Sequence, residues 1–262
     1  MVKILSLKKE YLANVEEVFD EFIYYCEIKN LSISTILFYK DKYEMFSKYY
    51  NPDKPISRIT KRDVYGYIYY LKNTRQVEDT TVNSYLRALR TFLYFAMENN
   101  HLKRFKIEMI KTDVKIKKTY TNKELKKLLR KLNKKNATFA QYRNWVIVNF
   151  LIGTGCRSQT LLNIKIKDLD LEDGYVLFRK TKSRKQQLLP ISKSLYKIIL
   201  DYLSIRRGKE EDYLFCTNEG DKLSREGLKS AIMRYNHSRN VDKTSIHLFR
   251  HNIEKKWILN YG

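Results

Sequence analysis

The chain has 262 residues, 43% of them hydrophobic and 13% aromatic, which is enough apolar material for two packed domains of ordinary size. Its 52 Lys and Arg against 29 Asp and Glu give a formal charge of +23, far more than solubility requires, so the expected partner is a polyanion and nucleic acid comes first. Cys26, Cys156 and Cys216 stand far apart with no Cys-x-x-Cys or His/Cys ligand spacing, which argues against a disulfide framework and a structural zinc site. No 18-residue apolar run and no signal-peptide pattern occur, so a soluble cytoplasmic protein without a membrane span is expected.

The charge is unevenly divided. Residues 1–100 hold 15 basic and 13 acidic side chains, whereas 101–262 hold 37 and 16, so the second part should grip a backbone while the first guides it. In chain order, Leu12, Val15, Phe19, Phe22 and Cys26 predict an amphipathic helix over 10–27. A second is predicted over 34–49 from Ile36, Tyr39, Tyr43 and Phe46. Pro52 and Pro55 then turn the chain, and Thr60 with Asp63 three places on marks the start of a third, carrying Val64, Ile68 and Leu71. The fourth, over 80–98, buries Val82, Leu86, Leu89, Leu93 and Ala96 and sets Asn83, Arg87 and Arg90 on the opposite face. Residues 1–100 are therefore expected to form a four-helix bundle.

Periodicity fades over 101–118, which carries seven basic and two acidic residues and reads as a basic interdomain linker. The second domain, 119–262, opens at Thr121 with Glu124 in capping position, leading a lysine-rich helix to about Lys131. Trp145 to Ile152 is almost wholly apolar and predicts a central helix, broken by Gly153 and Gly155 so that a new helix starts near Arg157. Asp168 and Asp170 read as turn residues. Tyr175–Lys180 and Gln186–Ile191 flank Thr181–Lys185 as a β-hairpin, Ser192 caps a helix to about Arg206, and further helices begin at Ser224 and near His247. The fold class is thus mainly α, a helical bundle followed by a mainly helical domain with a small antiparallel sheet. The 21 tyrosines read mostly as core.

Four basic residues stand in distinctive settings: Arg157 after Gly153-Thr154-Gly155-Cys156, Lys182 before the strand that ends at Pro190-Ile191, and His247 and Arg250 one helical turn apart. With these motifs in this order and spacing, the chain resembles the tyrosine recombinase, or phage integrase, family, and the resemblance extends to the N-terminal bundle. It implies that Arg157 and Arg250 hold the non-bridging oxygens of a scissile phosphate, that Lys182 protonates the leaving 5′-oxygen, and that His247 assists. It implies no metal and no other cofactor, because arginines supply the positive charge. The partner is double-stranded DNA, held in a C-shaped clamp by the core-binding and catalytic domains, with four protomers in a synaptic complex. Candidate DNA-backbone contacts are Arg87 and Arg90 on the bundle, Lys103, Arg104, Lys106, Lys115, Lys117 and Lys118 in the linker, and Lys180 and Arg184 beside the hairpin lysine.

Two departures from the family pattern are visible. Thr160 stands where an acidic residue is common three places after the first arginine. The family's nucleophile is a tyrosine about thirty residues past the second arginine, preceded by a Leu-Gly-His segment, whereas here twelve residues follow Arg250 and Tyr261 lies eleven beyond it. This chain is accordingly expected to be truncated before the nucleophile, to bind DNA and not to cleave it. The alternative is a non-catalytic remnant that blocks recombination sites. A type IB topoisomerase relative would share the chemistry but not the small helical N-terminal module.

Overall fold

In a computed structural model the chain is described over residues 12–113, 119–179 and 185–261, the last six as backbone. It divides into two compact units, residues 1–115 and 116–262. Lys115, Lys117, Lys118, Lys180, Lys182 and Arg184 lie outside the described residues.

Among the described residues the first unit has four α-helices, the first three of them opened by a local capping residue. Asn14 and Glu17 form a reciprocal capping box that opens α1 (Val15–Ile28), so the helix begins later than the apolar period suggests and Leu12 is exposed. Ser32 caps α2 (Ile33–Ser47), and Thr60 with Asp63 caps α3 (Lys61–Tyr69), as the sequence predicts for the latter. A π-helical turn, Tyr70–Thr74, follows α3 and precedes α4 (Asp79–Glu98). The core is aromatic: Phe19 stacks on Tyr43 with centroids 3.6 Å apart, and Phe92 meets Phe19 edge-on at 5.3 Å. Not all tyrosines belong to it. Tyr50 and Tyr67 are buried, whereas Tyr24, Tyr65 and Tyr69 are more than half exposed.

Asn83 is not on a solvent face. It is buried, its Nδ2 donates to the Ile110 carbonyl at 2.9 Å, and its Oδ1 accepts from the Ile110 N–H at 3.0 Å. Leu102 and Ile107 are buried in the core of the bundle, so residues 101–113, although neither helix nor strand, are docked on it. The physical reason is accounting. An irregular segment must satisfy its backbone groups, and a side-chain amide presents the donor and acceptor of a peptide unit.

In the second unit Thr121 and Glu124 box the start of α5 (Asn122–Leu129), and Thr138 with Gln141 boxes α6 (Phe139–Thr154). Helix α6 is buried on nearly every side from Tyr142 to Leu151 and contacts α5, α8 (Lys193–Arg206), α9 (Arg225–Ser238) and α10 (His247–Tyr261). Gly153 does not break it. It lies inside the helix where a Cβ would stand 2.7 Å from Leu195 Cδ2, so the glycine allows α8 to approach closely. The break comes at Gly155, in the left-handed region at φ 62°, after which α7 (Ser158–Leu161) begins.

Among the described residues the sheet has three strands rather than two. Leu169–Asp170 (β1) pairs antiparallel with Tyr175–Phe178 (β2), which pairs antiparallel with Gln187–Pro190 (β3). Asp168, just before β1, is not a surface turn residue: it is 3% exposed, accepts from the Lys165 N–H at 2.9 Å and pairs with Arg179 at the end of β2. A two-residue strand carries no alternation to read, so β1 escapes the sequence pattern. Among the described residues no helix is long and apolar enough to cross a membrane.

Candidate active site

The sharp turn after α6 and the first half of α10 build the site. Gly155 ends α6 by donating its N–H to the Leu151 carbonyl at 2.9 Å, while its own carbonyl accepts from Arg250 Nη1 at 3.0 Å. Two residues further on, Arg157 sits in extended conformation as the cap of α7, with its side chain exposed. The hydrogen bond from Arg250 thus brings the two sequence-predicted arginines to one turn, although they lie 93 residues apart in the chain. Gly155 is needed there twice: its φ is left-handed, and a Cβ would stand 3.1 Å from Ile253 Cδ1.

Helix α10 is oriented by a polar lock on its inner face. Asn252 is buried and exchanges two hydrogen bonds with the Tyr120 backbone, donating from Nδ2 to the carbonyl at 2.6 Å and accepting the N–H on Oδ1 at 2.8 Å. Phe249, fully buried, stacks on the Tyr120 ring with centroids 4.6 Å apart. With Phe249 and Asn252 turned inward, the outer face carries His247, Arg250, His251 and Glu254, all at least partly exposed. His247 is the first residue of α10 and lies one turn before Arg250.

Arg250 is held at a second point. Its Nε donates to Glu254 Oε1 at 2.9 Å, and His251 Nδ1 lies 2.9 Å from Glu254 Oε2. The bond from His251, reinforced by Arg250, holds the Glu254 carboxyl below the usual carboxylate range. The Arg157 side chain, by contrast, has no hydrogen-bond or ion-pair partner among the described residues, although its carbonyl accepts from the Leu161 N–H at 3.0 Å. Between the two arginines Cys156 is buried, and burial pushes its thiol up to about 11, so it packs as a small apolar side chain and not as a thiolate. Arg143, buried below on α6, donates to the Cys216 carbonyl at 2.5 Å and to Asn144 Oδ1 at 3.0 and 3.2 Å; burial lowers its pKa. It is a structural cation that binds carbonyls.

The remaining expected residues divide by position. Arg87, Lys103, Arg104 and Lys106 are exposed on the first unit and Arg90 is half-buried; Lys106 is already paired with Glu108 at 2.9 Å. Lys182, with Lys115, Lys117, Lys118, Lys180 and Arg184, falls outside the described residues. Two contributors were not singled out from sequence: Asn252, which orients α10, and Glu254, which holds Arg250. The i,i+4 spacing of Arg250 and Glu254 was a readable signal for the second.

Comparison with known proteins bears on this geometry. The model of the phage integrase family matches residues 118–258, and that of the phage integrase N-terminal SAM-like domain matches residues 18–104. The chain belongs to the phage integrase family. Among curated members it is similar to the TnP I resolvase of Bacillus thuringiensis, 25% identical over 84% of this chain and 80% of that protein. It is also similar to the tyrosine recombinase XerA of Pyrococcus furiosus, 28% identical over 90% of this chain and 78% of that one. The fold is that of solved integrases. The Tn1549 transposon integrase in complex with transposon right end DNA aligns with a TM-score of 0.74 over 95% of this chain and 88% of that one, at 16% identity. A λ integrase tetramer bound to a Holliday junction aligns with a TM-score of 0.73 over 95% and 74%, at 14% identity.

Proposed function

We propose that this phage integrase family member is a site-specific DNA recombinase whose second unit activates a scissile phosphate, while the helical first unit acts as the core-binding domain. The observation that carries the reading is the hydrogen bond from Arg250 to the Gly155 carbonyl, which sets a guanidinium beside the turn that presents Arg157. Two arginines at one turn are suited to a phosphodiester because their planar forks supply several directed N–H donors and their charge opposes that of the phosphorane. His247, one turn before Arg250, takes the role of assisting proton transfer or stabilising the phosphate, and Lys182 that of general acid to the 5′-leaving oxygen. Arg87, Arg90, Lys103, Arg104 and Lys106 serve as backbone contacts on the first unit, with Lys115, Lys117, Lys118, Lys180 and Arg184 extending them. The two units close on a duplex as a C-shaped clamp in the cytoplasm, and four protomers form the synapse.

Tyr261 is the sole tyrosine after Arg250 in this sequence. It stands eleven residues past Arg250, where the family's nucleophile stands about thirty past it, and is not read as that nucleophile. The 262-residue polypeptide on its own therefore binds duplex DNA without forming a 3′-phosphotyrosyl link. A nicked suicide duplex, selected by binding from a random library, tests both parts. The expected result is a retarded complex and no adduct resistant to detergent. A covalent adduct would overturn the non-cleaving half of the reading, and failure to bind any duplex would overturn the whole.

A further inference from the structure

Arg250 has five N–H donors, and two are already committed. Nε–H is taken by Glu254 Oε1 at 2.9 Å and one Nη1–H by the Gly155 carbonyl at 3.0 Å. The anchors come from two different elements, the arginine's own helix and the turn after α6, so together they fix the plane of the guanidinium and not merely its position. The three N–H groups that remain lie on the terminal amino nitrogens. The anchoring carboxylate is itself held: His251 Nδ1 lies 2.9 Å from its second oxygen.

We propose that Glu254 is a positioning residue, which locks the Arg250 guanidinium through Nε so that its terminal amino edge alone is presented to the phosphate. The inference rests on reading Arg250 as a phosphate ligand. The lowered pKa of the Glu254 carboxyl is consistent with an acceptor that stays charged. An arginine side chain is long and loses considerable rotamer freedom when it binds, so holding it in place beforehand favours the complex. Electrostatics alone argues the other way: a carboxylate next to a phosphate site repels the phosphate. The two effects predict opposite signs when Glu254 is removed, which makes the proposal decidable.

The test is duplex affinity by fluorescence anisotropy at fixed salt, with arginine side-chain 15N spectra of the same 262-residue protein. In the wild type the Arg250 Nε–H should exchange slowly and keep its shift when duplex is added, while the terminal amino signals move. E254A should lose the slow Nε–H and bind on the order of fivefold more weakly, the worth of about one hydrogen bond. E254Q, whose amide oxygen still accepts from Nε, should bind at least as tightly as the wild type. Binding by E254A as tight as or tighter than the wild type would overturn the proposal, as would E254Q as weak as E254A, or an Nε–H shift showing that phosphate displaces the carboxylate. A wild type that binds no duplex overturns the phosphate reading of the site and this inference with it. Retained binding with an unaffected E254A overturns this inference alone.

Discussion

The two units solve the same packing problem with different materials. The first is held by rings: Phe19, Phe22, Tyr39, Tyr43 and Phe92 interlock at 3.6–6.0 Å between centroids, on helices whose apolar residues recur at the helical period. The second is built round a mostly buried α6, but elements around it are held by polar locks, Asn252 on the Tyr120 backbone and Arg143 on the Cys216 carbonyl. An aromatic cluster tolerates small errors of angle because dispersion falls off smoothly. A pair of amide hydrogen bonds does not, and the second unit is where two arginines must be aimed.

The largest break in this comparison is expected from Phe92→Ala, which removes a ring 2% exposed and contacting three others. It should cost about 3–5 kcal/mol in urea unfolding, confined to the transition of the first unit. If the second unit melts with it, the units are not separately stable. Next comes Asn252→Ala, which strands a buried N–H and carbonyl of Tyr120 and should cost about 2–4 kcal/mol in the transition of the second unit. Its larger consequence should be a loss of order along α10, read as faster amide exchange from Phe249 onward. Unchanged exchange would show that Phe249 stacking alone holds the helix.

Gly155→Ala should cost about 1–2 kcal/mol for a left-handed alanine, with Ile253 also having to give way. Because Arg250 bonds to that carbonyl, the substitution should weaken duplex binding more than its effect on stability suggests. Equal binding would detach the turn from the site. The smallest effect concerns surface charge. Lys165 and Lys167 hold the Glu211 carboxyl down to about 2, from a usual value near 4.5. A depressed folded pKa means that the pair's stabilisation is present above the unfolded value and lost as pH falls from about 4.5 toward 2. Glu211 is largely exposed, so solvent and salt screen the pair. Glu211→Gln should flatten only a shallow part of the acid-unfolding curve, and an effect that survives high salt would contradict this account.

How much was legible in the sequence follows from the same contrast. The helices of the first unit could be read because burial on one side imposes a period, and the Thr60–Asp63 and Thr121–Glu124 boxes could be read because capping is local. What could not be read depends on partners far away in the chain. Asn83 looked solvent-facing because nothing in α4 announces that Ile110 will return to it, and Asp168 looked like a turn residue because its partner Arg179 is reached across a strand pair. Residues 101–113 lacked a period because a docked irregular segment follows the shape of its host. At the site, motif and spacing singled out Arg157 and Arg250, but the hydrogen bond that unites them at Gly155, and the carboxylate that holds one of them, are products of the fold.

The central claim is that Arg157 and Arg250 serve one phosphate. A double-mutant cycle on duplex affinity, with Arg157→Ala, Arg250→Ala and the pair at fixed salt, tests it most directly. The account predicts that each single change weakens binding and that the double change falls short of their sum by at least about 1 kcal/mol, because the second arginine loses value once its partner is gone. Additivity within about 0.5 kcal/mol would mean that the two arginines act on separate phosphates, and the site as described would not stand.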